Sequence, residues 1–146
     1  MSYKGKYYPR YPKKYKGDPR NIIYRSLWER KFMNYCDLNE NILEWASEEF
    51  WIPYRDPTTN RVRRYFPDFF IKYKDKDSNI RRSVIEVKPM RETLEPKQTK
   101  GKSRKTMINE SMTYVKNQAK WKAAREFCKD RKLEFKIMTE KELGIR

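Results

Sequence analysis

The chain has 146 residues, room for one domain with a modest core. Lysine and arginine number 36 against 20 acids, and the formal charge of +16 makes a polyanion such as nucleic acid the simplest partner. There is no histidine, and the two cysteines, Cys36 and Cys128, stand far apart; this excludes ordinary zinc sites and histidine-based catalysis and leaves oxygen ligands for any metal.

No apolar run reaches membrane-spanning length, and no signal-peptide pattern follows the basic start. A soluble, intracellular protein without disulfides is expected. Residues 1–17 are mostly Lys, Tyr, Pro and Gly, without acids or an apolar period. They read as an extended arm outside the domain of 18–146, either solvated or tracking DNA phosphates. Asp18-Pro19 then signals a helix start, and Tyr24, Leu27, Trp28, Phe32, Tyr35 and Cys36 recur at helical steps over roughly 22–37. Glu29 sits at the edge of that apolar face. Ser26-x-x-Glu29 fits a capping box, which would make Glu29 structural.

Short strands are expected at 42–46 and 50–54, then two long ones at 62–74 and 80–88 around a polar turn. Residues 89–106 hold two prolines, a glycine and six Lys or Arg. They read as a mobile basic loop, with Lys97, Lys100, Lys102, Arg104 and Lys105 as candidate DNA contacts. A long helix is expected over 107–132, with Lys116 and Lys120 on its basic face. A strand at 133–138 and a last helical turn, capped by Thr139 and ended by Gly144, complete the chain.

The two long strands carry acids inside apolar runs, Phe66-Pro67-Asp68-Phe69 and Ile85-Glu86-Val87-Lys88. Acids in such places need a reason. If the hairpin turns near Asp77, facing residues have numbers summing to about 154, which sets Asp68 opposite Glu86. Alternation puts Lys88 on their face and Ile85 and Val87 on the core face. Facing carboxylates in a basic chain suit Mg²⁺, with Mn²⁺ as a substitute and the Val87 carbonyl as a further ligand. Lys88 would hold the attacking water or steady the transition-state charge. Without a metal, the three side chains would form a cross-strand salt-bridge cluster.

These residues resemble the PD-(D/E)XK nuclease superfamily: Pro67-Asp68, then Glu86-Val87-Lys88. The element order is similar to its α/β restriction-endonuclease-like αβββαβ core, a central mixed sheet flanked by helices. The resemblance implies that Glu29 is a third metal-binding acid beside Asp68 and Glu86, with Lys88 assisting catalysis. It also sets Gln118, in Gln118-Ala119-Lys120-Trp121, among the DNA-contacting residues. The Gly17-Asp18-Pro19, Arg64–Phe69 and Ile85–Pro89 segments further resemble the head completion family of T-even-type bacteriophages. They are similar, too, to transposon endonuclease A subunits. The implied function is a Mg²⁺-dependent endonuclease acting on double-stranded DNA after packaging, in the host cytoplasm or at the virion head or neck, against portal or neck proteins. Cutting both strands would suit a homodimer. The alternative is a non-catalytic head protein that binds DNA or portal.

Overall fold

The two acid-bearing strands meet as an antiparallel hairpin, β6 (Phe69–Lys74) and β7 (Ile80–Val87). Its turn is held by the Asp75 carboxylate, which accepts from the Asp77 and Asn79 N–H groups, both at 2.9 Å. Pairs run from Phe69↔Ile85 to Lys74↔Ile80 and keep the expected register throughout. In this computed structural model, which describes residues 3–145, β3 (Ile42–Ser47) pairs antiparallel with β6. β8 (Glu134–Met138) pairs parallel with β7, so the sheet order is β3-β6-β7-β8.

Helices cover both faces. Phe32, Met33 and Cys36 of α1 (Leu27–Leu38) pack with Trp45, Phe69, Ile71, Ile85 and Val87. Trp121 and Ala124 of α2 (Arg104–Asp130) pack the other face with Ile52, Tyr54 and Tyr65. The core is therefore α1–β3–β6–β7–α2–β8, a restriction-endonuclease-like αβββαβ arrangement with a mixed central sheet. A short α3 (Glu140–Leu143) closes the chain with a Thr139/Glu142 capping box and Gly144 in the left-handed region.

Several expectations are corrected. Residues 3–17 are not a solvated arm, although Met1 and Ser2 lie outside the described residues. β1 (Gly5–Tyr7) pairs with β2 (Ile22–Tyr24), and any Cβ at position 5 would fall 2.5 Å from the Tyr24 hydroxyl. Tyr15 is buried, and the buried Asp37 carboxylate accepts from the Arg10 and Tyr11 N–H groups and the Tyr7 hydroxyl. One acid thus gathers three donors that composition alone cannot link.

The first helix starts at Leu27, not near residue 22, because Ser26 caps it and Ile22-Ile23-Tyr24 favours a strand. The expected strand 62–74 is two strands. β5 (Arg61–Tyr65) pairs with β4 (Ile52–Asp56) in a separate hairpin, and the buried Pro67 divides β5 from β6. Residues 89–106 contain a 3-10 turn at Met90–Thr93, and Lys102 Nζ donates to the Lys97 carbonyl at 2.6 Å and pairs with Glu110 at 3.2 Å.

Candidate active site

Asp68 lies just before the first β6–β7 pair. Its Oδ2 accepts from the Val87 N–H at 2.8 Å, and its carbonyl accepts from Glu48 N–H at 3.2 Å. Glu86 follows Ile85 on β7, opposite Ile137 of β8, and is 5% exposed. The face that carries it is not open, as alternation alone suggested, because α2 and Tyr65 lie over it. The buried Tyr65 hydroxyl donates to Glu86 Oε1 at 2.8 Å. Lys88 leaves β7 with its N–H bonded to the Met138 carbonyl at 3.0 Å, and its side chain is half-buried.

Glu29 comes from the other side of the sheet, in the first turn of α1. It serves partly as a capping residue. Its N–H donates to Ser26 Oγ at 3.1 Å, and its Oε1 accepts from Arg25 N–H at 3.3 Å. Its side chain also lines a cleft of about 540 Å³ shared with Trp28, Val87, Lys88 and Pro89.

The electrostatics join these groups. Burial first, then the charge of Glu86, holds the Asp68 carboxyl well above the usual carboxylate range; Glu29 adds to this, while the Val87 N–H and Lys88 oppose it. Burial also raises Glu29, against the Arg25 N–H and charge, with Glu86 adding a smaller push. Burial, then the charge and hydrogen bond of Glu86, push the Tyr65 phenol far above its ordinary range, so it stays a proton donor. Asp68, Glu86, Glu29 and Lys88 take part in no ion pair within 4 Å among the described residues.

These acids are not a salt-bridge cluster. Asp68 Oδ1 and Glu86 Oε2 receive no hydrogen bond among the described residues, since the donors present use the other oxygen of each. Two mutually repelling carboxylates, each with a spare oxygen, fit a hard divalent cation that keeps open positions. Among the described residues no group of three or more acids or cysteines is placed to hold a metal ion together. The acid pair is Asp68 and Glu86, with Glu29 a weaker influence on Asp68 than Glu86 is.

The basic residues divide into two kinds. Lys97, Lys100, Arg104 and Lys105 are exposed, and Lys116 and Gln118 are half-exposed on α2. Lys102 instead ties down its own loop. Lys120 is half-buried, 5.8 Å from the ring centroids of both Tyr54 and Tyr65. Burial lowers its pKa, with the charge of Glu86 pulling the other way, and its position by the Tyr65 ring sets Lys120 beside the acid pair rather than on the solvated face. Sequence reasoning missed this and missed Tyr65. The signal was alternation along β4 and β5, which puts Tyr65 on the buried side with Ile52 and Tyr54.

Residues 39–140 match the family described as TnsA-like endonuclease N terminal. The match spans Tyr65, Asp68, Glu86, Lys88 and Lys120 and begins after Glu29. The chain is also 39% identical over 143 residues to the head completion nuclease of Enterobacteria phage T4, across 96% of this chain and 93% of that protein.

Proposed function

The chain belongs to the TnsA-like endonuclease family, with a nuclease role, and from that premise we propose that it is a divalent-metal-dependent endodeoxyribonuclease of phage head completion. The observation that carries the reading is the Asp68–Glu86 pair, two repelling carboxylates with an unshared oxygen each, beside Lys88. Asp68, Glu86 and the Val87 carbonyl would hold Mg²⁺ or Mn²⁺, and Glu29 would add negative charge from across the cleft. The ion, when bound, supplies an activated water and neutralises charge on the phosphate.

The chain's own groups do the rest. The Val87 N–H and the Tyr65 hydroxyl fix one oxygen of each acid, so that the other oxygens point without competition. The Lys88 ammonium donates to the attacking water or to a non-bridging phosphate oxygen as negative charge develops. Lys97, Lys100, Arg104, Lys105 and Lys116, with Gln118, grip the flanking phosphates of double-stranded DNA. Water adds to phosphorus and the phosphodiester P–O bond breaks.

Because the T4 relative is named a head completion nuclease, the reaction would belong to virion assembly, and on this reading it follows packaging and trims a DNA end at the portal. Assembly would happen in the host cytoplasm, and no helix among the described residues is long and apolar enough to cross a membrane. Portal or neck proteins would be neighbours there, and cleavage of both strands would pair two copies of the chain.

The test is cleavage of supercoiled and linear DNA with Mg²⁺, with Mn²⁺ and with EDTA, using wild type, Asp68→Ala and Lys88→Ala. Each substitution should lower the rate by about 10²-fold or more. Cleavage that ignores EDTA, or is equal in all three proteins, would sink the assignment.

A further inference from the structure

The β4–β5 hairpin has one face that the fold does not use. Alternation along β4 buries Ile52, Tyr54 and Asp56 and exposes Pro53 and Arg55. On β5, Tyr65 is buried while Val62 and Arg64 are exposed. The register pairs Ile52 with Tyr65 and Pro53 with Arg64; Trp51 and Phe66 flank the end of this ladder, one residue beyond Ile52 and Tyr65. Trp51, Val62 and Phe66 are 44%, 62% and 43% exposed.

The solvent side of an antiparallel hairpin is ordinarily polar. Aromatic groups exposed on it and clustered with arginine mark a candidate binding surface. This cluster carries positive charge: the Arg64 guanidinium lies 4.7 Å from the Trp51 ring centroid, and Arg55 donates to the Asn60 carbonyl at 3.0 Å. Neither arginine is paired with a carboxylate among the described residues, and this face of the hairpin contains none. Aromatic rings beside unneutralised arginines, in a chain of net charge +16, complement bases and phosphates together. Along the chain Phe66 is two residues from Asp68, separated from it by the buried Pro67.

A duplex keeps its base faces inside the stack, so an aromatic platform gains only from unpaired bases. We infer that this hairpin face holds unpaired nucleotides beside the cut, and that the substrate is DNA with a single-stranded tail or gap next to the scissile phosphate. The inference takes its meaning from the nuclease reading, but its test does not depend on cleavage.

Binding is measured by fluorescence anisotropy in EDTA. The probes are a thymidine strand about a dozen nucleotides long, an abasic strand of equal length and a blunt duplex. The thymidine strand should bind roughly tenfold more tightly than the abasic one. Trp51→Ala should lower the ratio of single-strand to duplex affinity roughly tenfold, while Trp51→Phe, which keeps a stacking ring, should retain most of it. Equal binding of thymidine and abasic strands would overturn the inference. So would an unchanged affinity ratio in Trp51→Ala, or Trp51→Ala splitting a dimer into monomers, which would give the face to a second copy. Strand preference without Mg²⁺-dependent cleavage would refute the nuclease reading alone; cleavage without strand preference would refute this one alone.

Discussion

Tyr65→Phe isolates the contact that orients Glu86. The substitution keeps the ring, and so leaves no cavity, but removes a donor 2.8 Å from Glu86 Oε1. Tyr65 is 4% exposed and Glu86 5%, so water does not readily replace the lost partner. A hydrogen bond to a charged group in such a place is worth about 2 kcal/mol. For a chain of this size that loss lowers the melting temperature by roughly 6–10 °C. The assay is urea unfolding in EDTA, which keeps metal out of the comparison.

The sign with pH follows from the raised phenol pKa. Up to about pH 10 the phenol is protonated in both folded and unfolded chains, and the difference from Phe is constant. Above that, only the unfolded chain ionises, so the advantage of tyrosine shrinks. A double-mutant cycle with Glu86→Gln should return a coupling of about 1 kcal/mol, because a neutral acceptor keeps the weaker part of the bond. An equal cost of Tyr65→Phe in both backgrounds would show that the hydroxyl does not act on the charge of Glu86.

Asp68→Asn should abolish cleavage yet stabilise the metal-free protein at neutral pH by about 1 kcal/mol or more, because it removes a repelled, desolvated charge. Asp68 has a folded pKa above its unfolded one, so its stability contribution is complete below about pH 4 and is lost as pH rises toward the folded value. The gain from asparagine should therefore fade on acidification, and urea midpoints showing a pH-independent gain would contradict the shift. Asp37→Ala strips an acceptor from the Arg10 and Tyr11 N–H groups and the Tyr7 hydroxyl. It should cost about 3 kcal/mol and expose Lys13 and Lys14 to trypsin before the domain unfolds; cleavage no faster than in wild type would show that the N-terminal stretch is held by other contacts.

The hairpin register was legible because a short polar turn separates two apolar runs, and Asp75 fixes where it closes. Asp68, Glu86 and Lys88 could be grouped for that reason. The covering of Glu86 was not legible, because Tyr65 reaches it from β5 and Lys120 of α2 lies by the Tyr65 ring, elements linked to β7 only by folding. The packing of residues 3–17 was hidden for a similar cause. Its anchor, Asp37, lies 26 to 30 positions away on α1 and looks in the sequence like any other helix-end acid. Composition reports that a lysine- and tyrosine-rich stretch cannot bury itself; it does not report that a neighbour can bury it.

The division of the expected strand 62–74 links these features. Continuing the β6–β7 register past Phe69↔Ile85 would oppose Pro67 to Val87. Proline has no N–H to give, so the ladder stops there. Val87 then gives its own N–H to the carboxylate of Asp68 instead of to a strand partner. The acid is thereby held by backbone rather than by a flexible side chain, which is the preorganisation that catalysis requires. The same break frees β5 to leave the central sheet, pair with β4, bring Tyr65 over Glu86 and turn Trp51, Arg64 and Phe66 outward. Pro67 therefore does more than precede the proposed catalytic acid: its missing donor separates the strand that follows Asp68 from the hairpin that covers Glu86.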